Sequence, residues 1–571
     1  MRPKIFLLII IILFLLPLCG LFYIQIVRGN FYYRLSKKNY IRLIEYKAPR
    51  GKIVDRNGIV FADNEVSFNV ALIPQELRDK ENIFEALSEF LDEKKEELQK
   101  RFQKGYSTPF APVVVKKNLE KKKAMLIEQK KLDLPGVIVE VVPQRFYPYD
   151  KVAAHITGYV GLVDRKKISR LKEYGYSIKD IVGYTGIEEY YDALLKGQDG
   201  GMQIEVDNQG RQVRVLAMRS SEKGSDIALT LDMRIQKIAY ELLKDQRGAI
   251  VVMQPSSGEI LAMVSSPSFD PNMFIVSQTE KKINRLFRDK KSPLLNRTIS
   301  SAYPAGSVFK IIPALAALES KKISQYTRFV CNGRFTLGNA VFRCGHQHGS
   351  QDLLEAITHS CNVYFYTLGV MLGPDLMERH AFNWGFGSKT NIDLPFEKKG
   401  NVPSKLKKRL RRKESWYKGD SVNLSIGQGE LLITPLQAAR FISAIANGGW
   451  LVEPFLLRSL ENETVVRRNM PKKIRVHKET LQVIRAALRK VVDAPTGTAH
   501  VLDMKEITVA GKTGTAQTSR DETHAWFVGY APTRKPTLAF CIFLEHGGSS
   551  YNACVLAKSL LKELHTQGIV E

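Results

Sequence analysis

Between Ile5 and Val27 the chain runs for 23 residues without a charged side chain, and Gln25 is the only strongly polar one. A helix of that length crosses about 30 Å of hydrocarbon. Arg2 and Lys4 precede it, which predicts an N-terminus held in the cytoplasm. A cleaved signal peptide is the competing reading. It has a shorter apolar stretch and a small-residue cleavage site, whereas here the apolar residues continue past Leu18-Cys19-Gly20 through Leu21, Phe22 and Ile24. An uncleaved single-pass anchor in the inner (cytoplasmic) membrane therefore places the bulk of the 571 residues in the periplasmic or extracytoplasmic space. That changes the meaning of the formal charge of +27. On a cytoplasmic protein such an excess suggests nucleic acid. Outside the membrane the anionic partners are lipid head groups and envelope polymers, and nucleic acid is set aside.

The chain divides into a cytoplasmic tail (1–4), the transmembrane helix (5–27), a juxtamembrane connector (28–49), a first mixed α/β module (50–225) and a second module (226–571). The first module opens with Arg50-Gly51-Lys52-Ile53-Val54-Asp55-Arg56-Asn57-Gly58, whose alternation and Asn-Gly turn predict a hairpin. Residues 82–104 and 117–131 have helical apolar spacing. Pro112–Val115 and Gly136–Val142 read as strands, and residues 150–220 are rich in glycine, including Gly183, Gly186, Gly197, Gly200, Gly201 and Gly210. In the second module strands are predicted at Ile227–Leu231, Ala249–Met253, Ile260–Val264, Thr508–Ala510, His524–Tyr530 and Leu538–Leu544. A helix is expected at Arg234–Lys244 and another at Ala553–His565. Strands at both ends with helices between predict one sheet assembled from distant segments. Lys405–Lys413 holds seven basic residues in nine and reads as an exposed helix or loop.

Three short motifs occur in order: Ser307-Val308-Phe309-Lys310, Ser360-Cys361-Asn362 and Lys512-Thr513-Gly514-Thr515. Each is weak alone, because Ser-x-x-Lys recurs at Ser404–Lys407 and Ser559–Lys562, and Ser-x-Asn at Ser421–Asn423 and Ser550–Asn552. The setting selects the set. Pro304-Ala305-Gly306 makes a turn before Ser307, and Phe309, Ile311, Ile312, Ala314 and Leu315 predict a buried helix after it. A serine hydroxyl needs a base to become a nucleophile. Lys310, three residues on, shares its helical face and serves as that base if burial or a nearby cation lowers its pKa. Ser360 relays a proton to a leaving amine and Asn362 binds a substrate amide. The Lys-Thr-Gly-Thr motif is expected to follow an apolar strand, Ile507–Ala510. There Lys512 meets a substrate carboxylate, Gly514 admits an extended substrate backbone, and the N–H groups of Ser307 and Thr515 form an oxyanion hole. Thr513 completes this substrate-binding set. Ser-x-x-Lys with Lys-Thr-Gly is a pairing found in penicillin-recognising enzymes.

On these motifs the chain resembles the class B penicillin-binding proteins, and within them the elongation-type penicillin-binding protein 2 branch. The resemblance extends to Arg50–Gly58, Gly183-Tyr184-Thr185-Gly186-Ile187-Glu188, Asn296-Arg297, Tyr303–Ser307, Ser425-Ile426-Gly427-Gln428-Gly429 and Ala525-Trp526-Phe527-Val528-Gly529-Tyr530. It implies an α+β multidomain architecture: a transmembrane helix, an elongated pedestal (dimerisation-type) domain and a transpeptidase domain with an antiparallel sheet flanked by helices, as in serine β-lactamases. It implies a D,D-transpeptidase that cross-links peptidoglycan stem peptides during elongation. Ser307 attacks the D-Ala-D-Ala bond, D-alanine leaves, and an amine acceptor takes the acyl group. No cofactor is needed for that chemistry. β-Lactams, a SEDS-family glycan polymerase and the elongation machinery are the further partners implied. A D,D-carboxypeptidase (also a side activity of such a transpeptidase), a β-lactamase of the same fold and a non-catalytic β-lactam sensor or scaffold are the alternatives.

Of six cysteines, Cys331, Cys344 and Cys361 cluster in sequence with His348. Three cysteines and a histidine complete a tetrahedral zinc site, and some elongation-type relatives resemble this in carrying a structural zinc beside the Ser-x-Asn loop. His346 is an alternative ligand to His348. A Cys331–Cys344 disulfide, natural in an oxidising compartment, is the competing expectation, with unlinked thiols a third. Cys541 and Cys554 read as buried thiols.

Overall fold

The computed structural model describes residues 2–570 except 110, 165–166, 170–172, 174–175, 177–179, 207–211, 276–279, 462, 465–470 and 519–521; Met1 and Gly210 fall outside the described residues. The apolar stretch is an α-helix over Arg2–Phe22 that continues as a π-helical turn, Tyr23–Val27. Its mean hydropathy of 3.2 and its length suit a membrane span. The connector is more ordered than its sequence suggests. It holds a helix, Gly29–Tyr40, and a strand, Ile41–Tyr46, which pairs antiparallel with Gly200–Val206 in a three-stranded sheet.

The chain forms two compact units that interleave. One comprises residues 1–51, 64–144 and 196–224, and the other residues 52–63, 145–195 and 225–571. The first unit contains a core around Val70, Leu72, Leu87, Leu98, Val115 and Ile127. Residues 82–104 are two helices, Lys80–Leu91 and Lys95–Gly105, because Asp92 takes a left-handed conformation (φ 50°) and its N–H bonds back to Ser88 O, a helix stop. The helix expected at 117–131 begins only at Lys121, since Val113–Leu119 is a strand pairing with the Val60–Leu72 strand.

In the second unit the Asn57-Gly58 turn closes the expected hairpin, with Ile53 opposite Ala62. Asp55, 1% exposed, fixes it by accepting from the backbone N–H groups of Asn57, Ile59 and Met233 at 2.7, 2.8 and 3.0 Å. Glu188 of the Gly183–Glu188 stretch is fully buried and accepts from Arg145 Nε at 2.6 Å and Tyr147 Oη at 3.2 Å. A buried carboxylate requires such partners.

The main sheet of this unit has five strands: β1 (Gly248–Met253), β2 (Ile260–Ser266), β3 (Ala510–Gln517), β4 (Thr523–Ala531) and β5 (Leu538–Leu544). Their spatial order is β2-β1-β5-β4-β3, antiparallel throughout. Every residue of β1, β2 and β5 is buried, the mark of strands covered on both faces. The covering helices are Met233–Leu243, the wholly buried Pro435–Ala446 and Ser550–Thr566. The Lys-Thr-Gly-Thr motif does not follow a strand; it lies inside β3, at the edge of the sheet, with Lys512 opposite Val528 and Thr515 opposite Ala525. Lys512 and Gly514, which have little strand preference of their own, are held extended by pairing with the apolar β4.

Candidate active site

Ser307 and Lys310 occupy a 3₁₀ turn, Gly306–Lys310, that leads into the α-helix Ile311–Glu319. Three residues make a full 3₁₀ turn, so positions i and i+3 eclipse. The shared face expected of Ser307 and Lys310 therefore comes from a tighter helix than the α-helix anticipated. Seven of the nine residues of the following helix are buried, which gives the turn a rigid base.

Glycines let this turn sit against β3 and the Ser-Ile-Gly-Gln-Gly loop. Gly306 has φ +54°, its N–H donates to Gly427 O at 3.0 Å, and a Cβ on it would stand 2.7 Å from Thr515 O. A Cβ on Gly514 would meet Val308 Cγ2 at 2.9 Å and Ala305 O at 3.0 Å, so packing against the serine turn already demands glycine there. The Trp526 indole donates to Pro304 O at 3.0 Å, and Tyr303 N–H to Ile433 O at 2.8 Å. The buried Arg297 donates to Glu545 Oε2 at 2.6 Å. The Gly427, Trp526 and Tyr303 contacts thus brace the segment that carries Ser307.

The second motif reaches Lys310 directly. The helix Leu353–Thr358, started by a capping box at Asp352 and Glu355, ends at His359. Ser360 then adopts a left-handed conformation (φ 54°) and Asn362 opens the helix Asn362–Asn383. Lys310 Nζ donates to Ser360 O at 2.6 Å, Ser360 Oγ at 3.2 Å and Asn362 Oδ1 at 2.7 Å. Among the described residues it makes no hydrogen bond to Ser307. Burial of Lys310, which is 0% exposed, pushes its pKa down to about 8. Lys512 is also fully buried, and burial together with the nearby Lys310 charge holds its pKa well below the lysine range. Its Nζ contacts Thr513 O at 3.3 Å.

Thr513 Oγ1 shares a hydrogen bond of 2.8 Å with Thr498 Oγ1, while Thr515 is exposed. Thr498 N–H donates to Thr358 O at 3.3 Å, and His359 Nε2 lies 3.0 Å from Thr496 Oγ1. The 496–498 segment therefore ties the Ser-x-Asn loop to β3; no residue pattern in the sequence marks it. The competing motif copies have other roles. Ser404 caps the helix Lys405–Arg412 by accepting from Lys407 N–H at 3.2 Å, so the basic run is that helix. Ser559 and Lys562 lie within Ser550–Thr566, Ser421 and Asn423 within Lys418–Ser425, and Ser550 and Asn552 in the first turn of Ser550–Thr566.

The ligand atoms of Cys331, Cys344, His348 and Cys361 lie within 4.8 Å of one another. His348 Nδ1 is 3.5 Å from both Cys331 Sγ and Cys344 Sγ. His346 contributes its carbonyl, which accepts from Cys331 Sγ, and its ring stands outside the set. All six cysteines are free, including Cys331 and Cys344. The Cys361 thiol and the N–H groups of Val363, Asn362 and His346 hold the Cys344 thiol well below the usual thiol range, while that same pairing and burial push Cys361 up. Asn362 N–H donates to Cys344 Sγ at 3.1 Å, so the sulfur cluster and the Lys310 contacts share one residue.

Residues 248–565 match the penicillin binding protein transpeptidase domain family, and residues 45–229 match the penicillin-binding protein dimerisation domain family. The peptidoglycan D,D-transpeptidase MrdA of Acinetobacter baumannii is 34% identical over 94% of this chain and 83% of its own length. Penicillin-binding protein 2 of Helicobacter pylori, solved in complex with MreC, superposes with a TM-score of 0.84 at 31% identity, covering 93% of this chain and 99% of that one. A chain from a peptidoglycan synthase complex, solved in a study of how polymerization and crosslinking are coordinated, gives a TM-score of 0.75 at 29% identity over 98% of this chain and 97% of that one. With its N-terminal apolar helix, dimerisation domain and transpeptidase domain, the chain belongs to the class B penicillin-binding proteins of the penicillin-binding protein 2 type.

Proposed function

We propose that this chain cross-links peptidoglycan stem peptides during cell elongation by serine acyl transfer. The observation that carries the mechanism is the triple contact of Lys310 Nζ with Ser360 and Asn362, one 3₁₀ turn from Ser307. Neutral Lys310 takes the Ser307 proton as Oγ attacks the carbonyl carbon of the penultimate D-alanine. The N–H groups of Ser307 and Thr515 stabilise the oxyanion. The peptide C–N bond breaks, and the proton passes through Ser360 to the departing D-alanine amine. An acceptor amine then attacks the Ser307 ester, the new amide forms and the serine hydroxyl is restored. Asn362 holds a substrate amide, and Lys512 with Thr513, Gly514 and Thr515 orients the strand and its carboxylate. Water in place of the amine gives carboxypeptidase activity. Arg2 and Lys4 stay cytoplasmic, leaving the catalytic unit outside the membrane. The MreC complex of the Helicobacter pylori relative and the peptidoglycan synthase complex support a polymerase of the SEDS family and the elongation machinery as partners.

Fluorescent penicillin should label the full chain in a long-lived form, and Ser307→Ala should abolish labelling together with D-alanine release. Labelling that survives in Ser307→Ala rules out this nucleophile; rapid turnover of the drug indicates a β-lactamase instead.

The Cys331, Cys344, His348 and Cys361 set fits a structural zinc. Tetrahedral coordination with Zn–S of about 2.3 Å and Zn–N of about 2.0–2.1 Å places sulfur and nitrogen about 3.5 Å apart, the separation found for His348 and two cysteines. Bound there, a zinc would supply no catalytic step, only bracing of the segment that presents Ser360 and Asn362. Metal analysis should find one zinc per chain, lost in Cys361→Ser, with penicillin acylation about 10–100-fold slower. Zinc-free wild-type protein with Cys331 and Cys344 oxidised to a disulfide excludes the site.

A further inference from the structure

Between Cys331 and Cys344 the chain forms a two-stranded ribbon, Arg334–Leu337 paired with Ala340–Arg343. Alternation sends Phe335 and Phe342 to one face, where both rings pack on Tyr366 at centroid distances of 5.8 and 5.6 Å. The other face carries Arg334, Thr336, Val341 and Arg343, all exposed. Arg334 and Arg343 are direct cross-strand partners. Like charges in that position repel and weaken a ribbon. Neither guanidinium has an acidic partner among the described residues. The ribbon's end is fixed to the catalytic centre: Arg343 O accepts from Asn362 Nδ2 at 3.3 Å and Tyr366 Oη at 3.1 Å, while Asn362 Oδ1 accepts from Lys310. One amide side chain thus links the base to the backbone of Arg343, at the end of the ribbon.

We propose that Arg334 and Arg343 form a carboxylate-recognition subsite for the donor peptide, engaging an acidic group upstream of the bond that Ser307 cleaves. This rests on the transpeptidase reading above. Two adjacent guanidinium groups offer the planar, multiply donating surface that carboxylates bind, and a bound anion removes the repulsion between them. Asn362, which holds the donor amide in that reading, places an upstream residue beside the ribbon.

The test uses the full chain in detergent, an amine acceptor and two synthetic donor peptides ending in D-Ala-D-Ala. They differ only in a free carboxylate or a primary amide on the residue upstream of the cleaved pair. D-Alanine release should show kcat/KM at least about tenfold higher for the acid than for the amide, with the preference shrinking as salt rises. The double variant R334Q/R343Q should turn over the two peptides equally, and it should melt no lower than wild type because the Phe335 and Phe342 packing is untouched. A wild type without the preference, or a double variant that keeps it, overturns the subsite. Should wild type release D-alanine from neither peptide, or Ser307→Ala release it as fast as wild type, the transpeptidase reading fails and this inference goes with it.

Discussion

Lys310→Ala should acylate with penicillin about 10²–10⁴-fold more slowly than wild type, the range for loss of a positioned general base. Lys310→Arg should not restore the rate, because a guanidinium stays protonated at any accessible pH. The wild-type rate should depend on pH in a defined direction. Burial disfavours the ammonium form and lowers the Lys310 pKa to about 8. In the proposed mechanism only the neutral amine accepts the Ser307 proton, so acylation should rise with pH and level off above about 8. Below it the rate falls roughly tenfold per pH unit. Stopped-flow acylation across pH 5 to 10 measures both effects. A Lys310→Ala protein that reacts at the wild-type rate would remove Lys310 from the mechanism.

Gly427→Ala should be strongly damaging although it lies outside the three motifs. Gly427 has φ +74°, and its Cβ would stand 2.0 Å from Gly306 O and 2.9 Å from Gly306 N. The left-handed conformation alone costs an alanine about 1–2 kcal/mol. The clash is with backbone, so relief requires moving the turn that carries Ser307. A displacement of about 1 Å at a reacting centre costs on the order of 100-fold in rate, and that is the loss of penicillin acylation expected, together with a lower melting temperature. Gly429→Ala is the control from the same motif. Its φ is +76°, yet the nearest atom to an added Cβ is Asn423 Cβ at 3.7 Å. It should lose stability by about 1–2 kcal/mol and keep acylation within a few-fold. Equal effects of the two substitutions would show that the contact with Gly306 is unimportant.

Apolar runs that fill β1, β4 and β5 were readable because strands buried on both faces leave an unbroken hydrophobic signature. Ser307 and Lys310 were readable because a spacing of three places two side chains on one face in either kind of helix. Lys512–Thr515 was harder to place. Lysine, threonine and glycine carry no apolar pattern, and their extended state is supplied by β4, which follows in sequence and has the strong signal. The split at Asp92 was also hidden, since a left-handed aspartate interrupts the helix without altering its apolar spacing. The Thr498–Thr513 hydroxyl pair joins segments fifteen residues apart that carry no shared pattern, whereas the Arg334/Arg343 ribbon is a local hairpin about Gly338-Asn339. The cysteine and histidine set stood out for the opposite reason: so few residues of those types exist that their spacing is conspicuous.

The order β2-β1-β5-β4-β3 has a temporal meaning during synthesis. The β1–β2 hairpin emerges early, with one edge of β1 unpaired until β5, which comes after every other strand of the sheet in sequence. Throughout that interval an apolar strand edge is open to wrong pairing, the hazard of long-range sheet topologies. The N-terminal helix is long and apolar enough to span a membrane, and as an anchor it would hold unfinished chains at a high local density that makes such pairing worse. Folding of this protein therefore favours assistance by factors that shield strand edges until the chain has passed Leu544.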